Sequence, residues 1–100
     1  MLTLNDMNNI EAEYDIDELE YYQSIQRAIN AKAWSFQGSY GRAMAEAISE
    51  GKCLLGTEGC KDYWGNRVPS RYEVKEGTKG SEGYVDECSG SEWLRLMEAV

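Results

Sequence analysis

The first 22 residues hold seven carboxylates, Asp6, Glu11, Glu13, Asp15, Asp17, Glu18 and Glu20, without one Lys or Arg, and the whole chain contains no His. Such a segment cannot neutralise itself; it must face water or meet something basic. The missing imidazole also removes the usual activator of a Ser, Cys or Thr nucleophile. Carboxylate pairs can serve glycoside chemistry, but they need two walls of a cleft, and this cluster occupies one helical stretch. The residue types therefore point to binding rather than catalysis, and no enzyme activity is expected.

Metal chemistry is expected to be absent as well. Asp15-Ile16-Asp17-Glu18-Leu19-Glu20 begins like a calcium loop, but the sixth position needs Gly and is Glu20, and the twelfth needs Glu and is Gln26. Zinc favours four close ligands, whereas Cys53, Cys60 and Cys88 are widely spaced. An odd number of cysteines, with no secretion signal near the amino end, fits free thiols. Gly38-Ser39-Tyr40-Gly41 has the spacing of a GXXG nucleic-acid loop, yet it follows an acidic helix, and a turn before a helix explains it more simply.

Charge is uneven along the chain. Residues 1–50 hold nine acidic and three basic side chains, while residues 52–79 set Lys52, Lys61, Arg67, Arg71, Lys75 and Lys79 against Glu58, Asp62, Glu73 and Glu76. The net charge of −8 and a pI near 4.5 argue against direct DNA binding. If Asp6 to Glu20 is helical, its seven charges fall roughly every 3.5 Å along the axis, close to the ~3.4 Å spacing of one DNA strand. No Glu–Lys pair at i,i+4 relieves the segment, which favours a cationic partner over simple solvation.

The elements that must position these groups are short. Leu4, Met7 and Ile10 suggest a first helical turn capped by Thr3 or Asn5. Asp15 and Glu18 resemble a capping box, followed by an apolar face of Leu19, Tyr22, Ile25 and Ile29 to about Asn30. Ser39 is placed to cap a helix through Arg42, Met44, Ala45, Ala47 and Ile48, closed by Gly51. Cys53-Leu54-Leu55 suggests a short strand, and the glycines beyond it suggest irregular connections or a hairpin turning near Asn66. Ser70-Arg71-Tyr72-Glu73 reads as a capping box opening a two-turn helix that Gly77 closes, and Ser91 as the cap of a last helix burying Trp93, Leu94 and Met97. The expected fold class is mainly helical α+β, with four to five short helices and a small two- or three-stranded sheet or hairpin in the second half. Residues 1–100 are expected to form a single acidic domain with no membrane span. Trp34, Phe36, Tyr63 and Trp64 are expected mostly in the core, with one of them available as an interface anchor.

The runs Ile25-Gln26-Arg27-Ala28-Ile29-Asn30, Phe36-Gln37-Gly38-Ser39-Tyr40-Gly41-Arg42-Ala43-Met44, Asp62-Tyr63-Trp64-Gly65-Asn66-Arg67-Val68-Pro69-Ser70-Arg71 and Gly77-Thr78-Lys79-Gly80 resemble those of small phage and mobile-element proteins, among them type I-F anti-CRISPR inhibitors. The resemblance covers most of residues 2–85 and ends before Cys88. It implies a cofactor-free inhibitor in the cytoplasm of the bacterial host that binds the Csy (Cascade-type) surveillance complex and blocks target DNA binding or unwinding. Such inhibitors commonly occupy Lys- and Arg-rich surfaces of the Cas7 or Cas8 subunits. The residues expected at the interface are Glu11, Glu13, Asp15, Asp17, Glu18 and Glu20 as charge partners, with Tyr14 and Tyr21 as aromatic contacts. The alternatives are a phage-encoded adaptor that contacts another host protein through the central aromatics, and a DNA-mimic or antirestriction protein.

Overall fold

The structure, a computed structural model, describes residues 17–35, 38–62 and 64–100. The expected turn at Leu4–Ile10, its caps, and Asp15 as a helix cap lie outside the described residues, as do Phe36 and Tyr63. Among the described residues there are four α-helices and a two-stranded antiparallel hairpin, a mainly helical α+β arrangement.

Helix α1 (Glu18–Asn30) forms where Leu19, Tyr22, Ile25 and Ile29 recur at helical spacing, and it buries Ile25, Ala28 and Ile29 completely or nearly so. Its end is marked by Lys32, a non-glycine residue at φ +61°. A single 3-10 turn (Ala33–Ser35) follows, with Ala33 buried and Trp34 half-buried against the core. Helix α2 (Gly38–Ser49) begins at Gly38, so Ser39 lies inside it rather than capping it. Tyr40, Met44, Ala47 and Ile48 are its inward face. It closes as expected at Gly51: with φ at +74°, Gly51 donates to Ile48 O and Lys52 to Ala47 O, satisfying two otherwise orphaned carbonyls. Glycine is required there, because a Cβ would stand 2.3 Å from Cys88 Cβ.

Cys53, Leu54 and Leu55 are buried but form no strand, which corrects the expectation. The Gln26 side chain takes the place of a neighbouring strand: its Oε1 accepts from Leu54 N–H at 2.8 Å and its Nε2 donates to Leu54 O at 3.0 Å. Around it, Leu55 N–H donates to Gly80 O, while Arg71 gives its Nε to Leu55 O and its backbone N–H to Gly56 O. Leu54 N–H, Leu54 O, Leu55 N–H, Leu55 O and Gly56 O thus each have a partner, without which each would cost about 1–3 kcal/mol.

Strand β1 (Cys60–Lys61) pairs with β2 (Arg67–Val68), Cys60 opposite Val68 and Lys61 opposite Arg67, and Asn66 lies in the connecting turn as expected. The Ser70 box is half realised. Glu73 Oε2 accepts from Ser70 N–H at 2.8 Å, but the backbone makes only i,i+3 turns at Glu73 and Thr78, and no helix grows. Val74 is the only aliphatic residue between Arg71 and Gly77, and it is half-buried. A two-turn helix without an apolar face cannot offset its nucleation cost.

Two helices complete the chain. Helix α3 (Glu82–Ser89), not anticipated, starts at Ser81, whose buried Oγ accepts from Tyr84 N–H and Gly77 N–H and donates to Thr78 O. Helix α4 (Ser91–Glu98) has Gly90 rather than Ser91 at its cap position; the Ser91 hydroxyl donates to Asp86 instead. Its buried face is the expected one, Met97 fully buried with Trp93 and Leu94 packed against the core. Helix α1 packs on α2 and α4, and α3 packs on α4. None of the described helices is long and apolar enough to cross a membrane.

Candidate protein-binding face

The amino end of α1 and the carboxyl end of α2 come together over an aromatic floor. Asp17 precedes α1 in an extended conformation; its carbonyl accepts from Tyr21 N–H, while its side chain makes no capping bond. Glu18 and Glu20 sit in the first turn, where the positive end of the helix dipole favours them by about 0.3–1 kcal/mol. Tyr21 and Tyr22 follow, half-buried and edge-to-face with ring centroids 5.1 Å apart. Tyr22 meets Trp93 of α4 in the same geometry at 5.9 Å. The indole of Trp93 is itself anchored, donating its Nε1–H to Lys52 O.

Onto this floor α2 brings Glu46 and Glu50, one turn apart and both exposed. The last turn of α2 carries no basic residue, so two negative groups stand at the negative end of a helix dipole, an arrangement that works against stability. Their fields reach the tyrosines. Burial first, then Glu46, Cys53 and Glu50, raise the Tyr21 pKa; burial first, then Glu50, Tyr21 and Glu18, push Tyr22 up to about 12. Both phenols therefore stay neutral through the physiological range, and their rings are an uncharged surface framed by carboxylates from two helices. A shallow hollow of about 470 Å³ opens at the end of α2, lined among the described residues by Ala45, Glu46, Ser49 and Glu50.

Among the described residues, Lys52 brings a cation to this face. Lys52 Nζ lies 3.5 Å from Glu18 Oε1 and 4.9 Å from the centroid of the Trp93 ring. The pair is largely open on the carboxylate side, so it contributes at most about 1 kcal/mol and is readily exchanged for a stronger partner. Chemically, the arrangement suits guanidinium and ammonium groups: carboxylates to pair with, and aromatic faces over which a cation can rest.

Of the residues expected from sequence, Glu11, Glu13, Tyr14 and Asp15 lie outside the described residues. Asp17, Glu18 and Glu20 are exposed on the first turn of α1, whereas Tyr21 is half-buried and packed on the core, so it contributes to the floor rather than projecting from it. The structure unites Glu18 and Tyr21 with Tyr22, Glu46, Glu50 and Lys52, which sequence reasoning did not select. A signal for two of them exists: Glu46 and Glu50 are like charges at i,i+4 near a helix end, a locally unfavourable choice.

All three thiols are free, and burial pushes Cys53 far above the ordinary thiol range. Burial also outweighs the neighbouring Lys32 and Arg67 at Cys60, raising it. Among the described residues no group of three or more metal-ligating side chains converges. No protein family, curated protein or solved structure matches this chain.

Proposed function

We propose that this protein acts by binding rather than catalysis, as an inhibitor of the type I-F anti-CRISPR kind, in the cytoplasm of a bacterial host. In this reading its acidic face docks on a Lys- and Arg-rich surface of a Cas7 or Cas8 subunit in the Csy complex and occupies ground that target DNA requires. The observation that carries the reading is the convergence of Glu18, Glu46 and Glu50 around Tyr21 and Tyr22. Two of those carboxylates stand where the helix dipole disfavours them, which is the kind of local cost that recognition of a cation offsets. Negative charge on a compact surface also accelerates encounter with a positive one. The choice of the Csy complex comes from the sequence resemblance; the choice of a basic partner comes from the face.

A DNA-mimic or antirestriction role uses the same carboxylates, and the identity of the partner separates the two. Purified Csy complex is challenged with labelled target DNA in the presence of the intact chain and of the Glu46→Gln/Glu50→Gln variant. The proposal expects DNA to be displaced by the intact chain and much less by the variant. Displacement equal with both removes the acidic face from the mechanism. If the Csy complex ignores the chain while another DNA-binding host protein takes it, the DNA-mimic role replaces the inhibitor role.

A further inference from the structure

Lys52 is held against one ring from two sides. Its backbone N–H donates to Ala47 O at 3.0 Å, its carbonyl accepts from Trp93 Nε1–H at 2.8 Å, and its side chain folds back so that Nζ lies 4.9 Å from the centroid of the same indole. The residues around it are fixed as well. Ser49 O accepts from the Tyr84 hydroxyl at 2.9 Å and Gly51 O from the Ser89 hydroxyl at 2.8 Å, while the Cys53 thiol donates to Tyr22 O. The turn from Ser49 to Cys53 is thus pinned to α1, α3 and α4. The Lys52 ammonium, by contrast, is held by one exposed carboxylate, Glu18, and the face of the ring.

These contacts leave a slot whose walls do not depend on what fills it. Trp93 is one wall, braced edge-to-face by Tyr22, which in turn meets Tyr21, and the Glu18 carboxylate is the anion at the rim. A cation fits there, as Lys52 itself demonstrates, but the fit is partial. Its Nζ stands 3.5 Å from Glu18 Oε1, beyond the ~2.7–2.9 Å of a charge-assisted hydrogen bond. A guanidinium is planar, so it can lie flat on an indole and at the same time offer paired N–H donors to a carboxylate. It is also more weakly hydrated than an ammonium and gives up less on leaving water.

We propose that the slot between Trp93 and Glu18 seats an arginine side chain of the protein partner, and that Lys52 is a tethered competitor that fills it until the partner's guanidinium takes its place. This rests on the acidic face being the docking face, and adds to that reading a preferred side chain and a built-in brake. The exchange releases one ammonium to water and leaves the pinned backbone where it is, so little ordering cost falls on binding. The brake also selects. A partner offering only ammonium groups gains nothing over the one already in place, whereas a partner offering guanidinium does.

Fluorescence anisotropy of a labelled octa-arginine peptide at low salt tests this on the intact chain. Lys52→Gln removes the competitor and should bind the peptide about 3- to 30-fold more tightly, the range of one exposed ion pair plus one cation–π contact. Lys52→Arg keeps the charge but fills the slot with a guanidinium from within, and should bind more weakly than the parent. Lys61→Gln removes the same charge from strand β1 and should gain much less than Lys52→Gln. The Trp93 indole N–H resonance of the parent should move as the peptide saturates, and octalysine should bind less tightly than octa-arginine. Equal gains from Lys52→Gln and Lys61→Gln overturn the proposal, as does Lys52→Arg binding as well as the parent, because Lys52 would then act through net charge alone. If binding is still weakened by Glu46→Gln/Glu50→Gln in that case, the acidic face stands without the slot. A peptide bound by neither the parent nor any variant overturns the slot and the acidic face together.

Discussion

The two halves of this molecule are held together by different forces. The apolar core is drawn from α1, α2, the 53–55 segment, Val85 and Met97, and it is made of side chains that water cannot reach. Among the described residues between Thr57 and Lys79 the buried side chains are instead Ser70 and Arg71, and shape is kept by hydrogen bonds and two exposed ion pairs, Arg67–Glu73 and Lys32–Glu58. Burying a Leu or Ile is worth about 1.5–3 kcal/mol, whereas an exposed polar bridge is worth far less, so global stability resides in the apolar core rather than in the 57–79 segment. The second half is free to display Trp64 and Tyr72 because it is not asked to bury them. Stability and display are divided between segments, and Arg71 links them, reaching from the braced turn into the core to hold Leu55 and Gly56.

That division can be broken at its strongest point first. Gln26→Leu fills the same space but leaves Leu54 N–H and Leu54 O unpartnered in the core, and about 2–6 kcal/mol of unfolding free energy should be lost, read from urea midpoints. A loss below about 1 kcal/mol would mean that the segment finds other partners and that the amide is not its surrogate strand. Gly80→Ala should cost about 2 kcal/mol or more, because φ there is +92° and the new Cβ would stand 2.6 Å from Leu55 Cδ1; it marks where the braced half meets the core. Trp64→Ala should leave the urea midpoint within about 0.5 kcal/mol of the parent, since the ring is a surface group. A large loss there would put the hairpin in the stability half and erase the distinction.

The smallest effect concerns pH. Burial first, then the hydrogen bond and charge of Glu82, raise the Glu98 pKa, and Arg71 only partly opposes them. A carboxyl that holds its proton more tightly in the folded state adds stability below its unfolded pKa, and that stability is lost as pH climbs through the raised folded value. Glu98→Gln should therefore raise the melting temperature slightly at neutral pH and have no benefit in acid. Thermal scans at both pH values check the sign.

How much of this was legible in the sequence follows the same division. Leu19, Tyr22, Ile25 and Ile29, the Gly51 stop, and Trp93, Leu94 and Met97 were readable because apolar periodicity reports directly on a core. The hairpin at Asn66 was readable from its turn residues. Helix α3 was not, since only Val85 of its residues is buried and Gly83 interrupts its first turn. The strand expected at Cys53–Leu55 failed because its partner is a side-chain amide 28 residues earlier, a contact that no local pattern encodes. The acidic site was half legible. Glu18 stood out in the run of carboxylates, but Glu46 and Glu50 join it only because α2 packs against α1.

The central claim, that carboxylates from two helices form a surface for a cationic macromolecule, is tested most directly by the salt dependence of binding to the Csy complex. The account predicts that affinity for the intact chain falls steeply as ionic strength rises, and that the Glu46→Gln/Glu50→Gln variant binds more weakly with a shallower slope. An affinity that ignores salt, or one that the two substitutions leave untouched, would contradict it.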